Sequence, residues 1–304
     1  MPRHVRDQQG FVLILVLWMV VLVALMAAAF SRATQSYIRE VASRSRSAQA
    51  EAIADAGINL VALDLAAVRD APRRSRRFPL DGGETACQLE NAGALFIRVQ
   101  DAGGKVNVNL ADQRLLAALF IGLGATPEAA TRYADRIIDF RDRDDDRRVS
   151  GAEREEYLVA GSLRGPKNAS FEAFEELHQV LGLDASMIAA MEPFTTLHSG
   201  IAGLEPAATS AKLAALINHG VSQLPFSTAA GFTADGLPPE FTVASPRRIF
   251  VASVTARLEG GATFVRDAEI DVLPGRGALP AIKTWRRGRD DEDRGGSTDE
   301  LPPC

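Results

Sequence analysis

Cysteine is almost missing from this sequence, with two residues in 304, Cys87 and Cys304. Two are too few for a disulfide framework to define the fold. Cys304 stands in a charged tail where a bridge to Cys87 is not expected, so cysteine content leaves the redox compartment open. Histidine is limited to His4, His178, His198 and His219, which have neither metal-ligand spacing nor a nucleophile motif beside them. No catalytic residue stands out, and no enzyme is expected. A net charge of −5 excludes general attraction to nucleic acid or to an anionic membrane surface. Proline is absent from residues 11–71, and charge is absent from residues 11–30.

That uncharged run is the first positive feature. At 1.5 Å per residue it reaches roughly 30 Å as a helix, the thickness of a bilayer's hydrocarbon core. A secretory signal peptide has a shorter apolar stretch, broken by a small-residue cleavage site, and no break occurs here. Residues 31–69 continue rich in Ala, Arg, Glu and Gln, with Ala54, Ile58, Val61, Leu65 and Val68 at helical spacing. The pattern predicts one continuous helix, its first third in lipid and its last turns lying on a globular body, ended by Pro72. Arg3 and Arg6 precede the span while Arg32, Arg39, Arg44 and Arg46 follow it, so a count of basic residues does not orient it.

With 46% hydrophobic and 24% charged residues, the chain can bury one large core or two smaller ones. Strands are expected at "TACQLEN", "ALFIRVQD" and "KVNVN", and again at "RRIFVASVTARLE" and, after Gly260 and Gly261, at "ATFVRDAEIDVL". "LPAIKTWRR" is a candidate edge strand. Between them, residues 110–220 read as helices separated by Gly, Pro and Asn. The expected fold is α+β: a long N-terminal transmembrane helix packed on an antiparallel sheet, with a large all-helical insertion domain. The expected divisions are a leader at 1–10, a span at 11–30 and its helical continuation at 31–71. The body follows at 72–109 and 221–286, split by the insertion at 110–220, and a disordered tail closes the chain at 287–304.

Two stretches of the insertion carry candidate chemistry. In "DRDDDRRVSGAE", Asp142, Asp144 and Asp146 alternate and Glu153 falls twelfth, the ligand spacing of a calcium loop. Arg147 occupies the sixth place, where glycine normally permits the sharp turn, which points to an irregular loop. The same residues also read as a solvated acidic turn neutralised by Arg141, Arg143, Arg147 and Arg148; the calcium loop is the reading taken. The second stretch, with "GLG" between two helical patterns, looks like a helix-hairpin-helix unit, and "ELHQVLGLDASMIAAMEPF" like another. Glu128 and Asp184 follow these hairpins where a phosphate-binding member would carry Lys or Arg. Residues 135–156 hold nine acidic against six basic side chains, so compact packing is expected and nucleic acid is not.

The polar leader ending in "QQG" before Phe11 resembles the class III leader of type IV pilins and pseudopilins. Prepilin peptidase cuts such leaders after the glycine, here Gly10, on the cytoplasmic side; a plain single-pass anchor is the other reading of this junction. Pilin-like subunits usually carry glutamate at the fifth mature position, where this chain has Leu15. The succession "GKVNVNLAD", "IIDFRDRDDD", "GAEREEYL", "GPKNASFEAFEELHQVLGLD" and "MEPFTTL", followed by closing strands, is similar to the minor pseudopilin K family of type II secretion systems, from Gly10 to about Trp285. At "SGIAGLEPAATSAKLAAL" the family's Asn-rich motif is missing.

The resemblance implies an inserted helical domain, acidic calcium loops, and the absence of glutamate at Leu15. It implies cleavage between Gly10 and Phe11 with methylation, and an inner-membrane anchor with a cytoplasmic N-terminus and a periplasmic body. The implied role is at the tip of the pseudopilus, starting its assembly for protein export across the outer membrane. The partners are minor pseudopilins of the I and J types, the major pseudopilin, prepilin peptidase and the inner-membrane assembly platform. The rival reading is a membrane-anchored helix-hairpin-helix protein of DNA uptake.

Overall fold

The computed structural model describes residues 9–70, 75–90, 93–224, 236–273, 278–288 and 301–304. Most of the leader, Pro72 and residues 289–300 of the expected tail lie outside the described residues. Helix α1 (Gln9–Asp70) is continuous, as the unbroken pattern predicts. Its apolar stretch is fully exposed, and it is long and apolar enough to cross a membrane. Further on, Ala50, Ala54, Ile58, Val61 and Leu65 turn one face to the body and are buried there.

That face packs on an antiparallel five-stranded sheet. Its strands are β1 (Asp81–Leu89), β2 (Gly93–Asp101), β5 (Ile249–Leu258), β6 (Thr263–Asp271) and β7 (Ala281–Arg287), in the order β1-β2-β5-β6-β7. The candidate edge strand is therefore the outermost strand on one side. Alternate residues Leu95, Ile97 and Val99 of β2 and Phe250, Ala252, Val254 and Ala256 of β5 face α1, the period of two that a one-sided sheet requires. Gly260 and Gly261, both at positive φ, turn β5 into β6. Gly57 lets α1 approach the sheet: a Cβ there would stand 2.6 Å from Val254 Cγ1. Arg266 ties helix to sheet, donating to Asp55 at 2.6 Å and to Glu51 at 2.7 Å while its guanidinium lies over Phe264 and Trp285.

Between β2 and β5 the chain leaves the sheet and builds a second core. It contains β3 (Val106–Asn107), α2 (Gln113–Gly122), α3 (Pro127–Arg141), α4 (Arg154–Val159), α5 (Ala185–Met191), β4 (Thr195–Thr196) and α6 (Ala211–Gln223). This core reaches past the expected 110–220 on both sides, taking in Val106, Val108, Leu237 and Phe241. "KVNVN" serves the insertion because Val106 and Asn107 pair in parallel with Thr195 and Thr196 and not with the main sheet. The insertion joins at the sheet end that lies beside the end of α1, where the Arg69 guanidinium donates to the Val272 carbonyl. The opposite end of the sheet, at the Gly260 turn, faces Arg46. The helical domain thus lies at the end of the body farthest from the apolar segment.

The junction is polar and closed. Asp101 accepts from Ser245 Oγ, and Glu205 accepts from the Ser245 N–H. Glu269 on β6 accepts from Thr196 Oγ1 at 2.6 Å and contacts His198 Nδ1 at 2.5 Å. Burial works against the Glu269 charge, but these two hydrogen bonds outweigh it and hold the carboxyl below its usual range.

Cys87 and Cys304 form a disulfide, contrary to expectation. Residues 301–304 return to the sheet beside β1, so the last part of the expected disordered tail is ordered against the body. Distance along the chain hid the pair: 217 residues separate the two cysteines.

Candidate functional site

The acidic loop hangs between α3 and α4. Thr126 caps the start of α3, accepting from the Ala129 N–H, and Pro127 opens its first turn. The helix runs to Arg141 because its buried stripe, Tyr133, Ile137, Ile138 and Phe140, continues to that point. Arg141 then reaches back to the carbonyls of Val108 and Ala111, and burial lowers its pKa to about 10. The backbone turns extended at Asp142, and Glu153 opens α4 with its N–H donated to Glu156 Oε2.

Of the four predicted ligands, Asp142 and Glu153 are drawn inward, while Asp144 and Asp146 stand in solvent. Glu153 is 6% exposed, and neither carboxylate oxygen has a hydrogen-bond partner. Asp142 Oδ1 is likewise buried and unpartnered. Asp139, absent from the sequence prediction, completes the group. It is fully buried; Oδ2 accepts from the N–H groups of Arg148 and Ala152, and Oδ1 is unpartnered with Arg148 Nε 3.6 Å away. Asn168, in the left-handed region at φ 50°, donates to Asp145 and leaves its own Oδ1 buried without a partner.

These groups disturb one another. Burial first, then the neighbouring Asp139, Asp142, Asp145 and Asp144, push the Glu153 carboxyl up to about 7. Burial, with Asp142 adding to it and the two N–H donors opposing, pushes Asp139 up to about 6. Asp142 is raised by burial and by Asp144. The Asp146 N–H closes a turn onto Asp144 Oδ1. The charge of Arg147 is directed to Glu156 at 3.1 Å, away from the inner carboxylates. Gly151 permits this packing, since a Cβ there would fall 1.8 Å from Asp139 Oδ2.

Buried carboxylate oxygens without donors carry a desolvation cost that folding alone does not return. The set is all hard oxygen, the chemistry of Ca²⁺ or Mg²⁺ and not of softer metals. Asp139, Asp142 and Glu153 carry the buried, unpartnered oxygens that would suit such an ion. Among the described residues, no group of three His, Cys, Asp or Glu side chains is arranged to hold a metal ion. Asp139 was legible in principle: it lies three residues before Asp142, on the same helical face.

The expected processing bond lies in the first turn of α1, where the backbone of Gly10 and Phe11 is already helical. The first hairpin joins α2 to α3 through Gly124 at φ 101°, with Glu128 in the first turn of α3. At the second, Asp184 precedes α5. Carboxylates at both helix starts repel phosphate, and Arg136, inside α3, donates to the Leu181 carbonyl of the second hairpin.

Residues 89–200, which span β2, the acidic loop and most of the helical domain, match the model of the family described as type II secretion system protein K. No curated protein matches the chain in sequence. Among solved structures, a chain of the crystal structure of the GspK-GspI-GspJ complex from the enterotoxigenic Escherichia coli type 2 secretion system has the same fold. The TM-score is 0.59 at 16% identity, covering 83% of this chain and 100% of that one. The similarity to type II secretion system protein K thus falls on β2, the acidic loop and most of the helical domain, and the solved structure shares the fold around them.

Proposed function

We propose that this chain is the minor pseudopilin at the tip of the type II secretion pseudopilus. There it starts fibre assembly with minor pseudopilins of the I and J types and is joined below by the major pseudopilin. One observation carries the reading: the helical domain rises from the end of the sheet farthest from the apolar segment of α1, where a subunit added above would have to pack. The similar solved structure is of a GspK-GspI-GspJ complex, which supports the choice of I and J partners. Prepilin peptidase would cut between Gly10 and Phe11 on the cytoplasmic side, and the inner-membrane assembly platform would receive the processed helix. The disulfide favours a body outside the cytoplasm, because such bonds persist in oxidising compartments. Calcium held by Asp139, Asp142 and Glu153 would neutralise the buried carboxylates and fix the loop between α3 and α4.

The test is site-directed crosslinking in assembled fibres. Cysteine is placed at Leu163, exposed in the helical domain, or at Glu259, on the turn at the opposite end of the body. Crosslinks to other pseudopilins are expected from position 259 and none from position 163, with an intact mass lacking residues 1–10. Crosslinks from both positions would make the chain an internal subunit.

A further inference from the structure

The two edges of the main sheet are protected in different ways. β7 carries Lys283, Arg286 and Arg287, charges of the kind that discourage pairing with another strand. β1 has no such device along residues 85–89, which read "TACQL" without charge or proline. Its register irregularity lies at the other end, between Asp81 and Glu84. An uncharged edge of this type is a template for its own sequence in a second copy.

Residues 301–304 lie along that edge. The Gln88 N–H donates to the Pro302 carbonyl at 2.7 Å, and the Gln88 carbonyl accepts from the Cys304 N–H at 3.0 Å. Gln88 and Pro303 pair in parallel, so both backbone groups that Gln88 directs away from β2 are used. The Arg77 guanidinium donates to the Cys304 carbonyl, and the disulfide to Cys87 holds the segment in place.

We propose that residues 301–304 are a disulfide-held strap that closes the β1 edge against a second copy of this chain, and that reduction of Cys87–Cys304 opens it. Three hydrogen bonds do not repay the ordering of four residues, so the covalent link decides whether the strap stays. A dithiol supplies the two electrons: Cys87 and Cys304 become thiols while the reductant closes to its own disulfide. The strap then leaves, and Gln88 presents its free N–H and carbonyl.

The experiment uses the full chain in detergent micelles: wild type with and without dithiothreitol, Cys304→Ser, and Cys304→Ser/Gln88→Pro. Exchange of the Gln88 amide should quicken about tenfold or more in Cys304→Ser and in reduced wild type, with β2 and β5 amides unchanged. Sedimentation should show concentration-dependent dimers of Cys304→Ser. The added Gln88→Pro change should abolish them, because it removes the outward donor and leaves the ladder to β2 intact. Unchanged exchange in both opened forms would show that the strap does not depend on the disulfide and would overturn the proposal. Faster exchange without dimers would overturn the role assigned to the edge. Should Cys304→Ser fold poorly, reduced wild type supplies both readings.

Discussion

At the scale of single residues, Glu153 and Gly151 concentrate the chemistry of this chain. The raised folded-state values of Glu153, about 7, and Asp139, about 6, mean that the metal-free folded chain holds protons that the unfolded chain releases. Stability from this source is complete at low pH. It is lost as pH rises from the ordinary carboxylate range through about 7. In chelator, melting should therefore fall over that interval, and Glu153→Gln should melt above wild type at neutral pH because it removes an unpaired buried charge. With calcium the order should reverse: wild type gains RT ln(1 + [L]/Kd), about 2.7 kcal/mol at a hundredfold excess, and Glu153→Gln gains little. Gly151→Ala pushes against Asp139 Oδ2 and should cost about 1–3 kcal/mol and remove the calcium gain. Thermal scans at several pH values with calcium or chelator read all of these effects, and identical curves in the two conditions would leave a solvated acidic turn. The spacing from Asp142 to Glu153 was visible in the sequence, but burial was not. The structure brings in Asp139, leaves Asp144 and Asp146 in water, and does not put Arg147 in the positive-φ region that the glycine of a regular loop takes.

At the scale of elements, α1 against the sheet is the joint on which the body depends. An exposed helical glycine changed to alanine gains about 1 kcal/mol from propensity alone. At Gly57 that gain meets a contact of 2.6 Å with Val254 Cγ1, and overpacking of this kind costs about 1–3 kcal/mol, so the collision wins. Gly57→Ala should destabilise the chain, and Gly57→Ala/Val254→Ala should recover part of the loss in a denaturant melt; a simple sum of the two single effects would mean that the residues do not compete for the same space. This joint was legible because its signals are local: a stripe at helical spacing, alternation along β2 and β5, paired glycines at the hairpin. The partners of "KVNVN" and of Cys304 were not. Val106 pairs with Thr195, and Cys87 with Cys304, across separations that neither periodicity nor propensity encodes. The helical insertion was read from its pattern, yet its core extends to Val106 and Phe241 because the chain must cross between sheet and helices before either can close.

At the scale of the whole molecule, a long apolar helix, a sheet and a helical domain follow one another along one body. An assembly of such subunits needs every charge in lipid to be met. In a fibre, a glutamate at the fifth mature position neutralises the terminal amine of the subunit above, whereas a subunit with nothing above it has no amine to meet. Leu15, exposed on the apolar stretch of α1, carries no carboxylate, as the proposed tip position would require. Leu15→Glu should then find no partner while placing a carboxyl group in lipid. Insertion scales put a carboxylate at about 2.5–3.5 kcal/mol at the bilayer centre, less toward the end of the span and less again once protonated. Secretion by cells carrying Leu15→Glu, scored against wild type at equal protein level, should be unchanged or mildly reduced. Faster secretion or longer fibres would mean that the new carboxylate had met an amine from above, placing this chain within the fibre and not at its end.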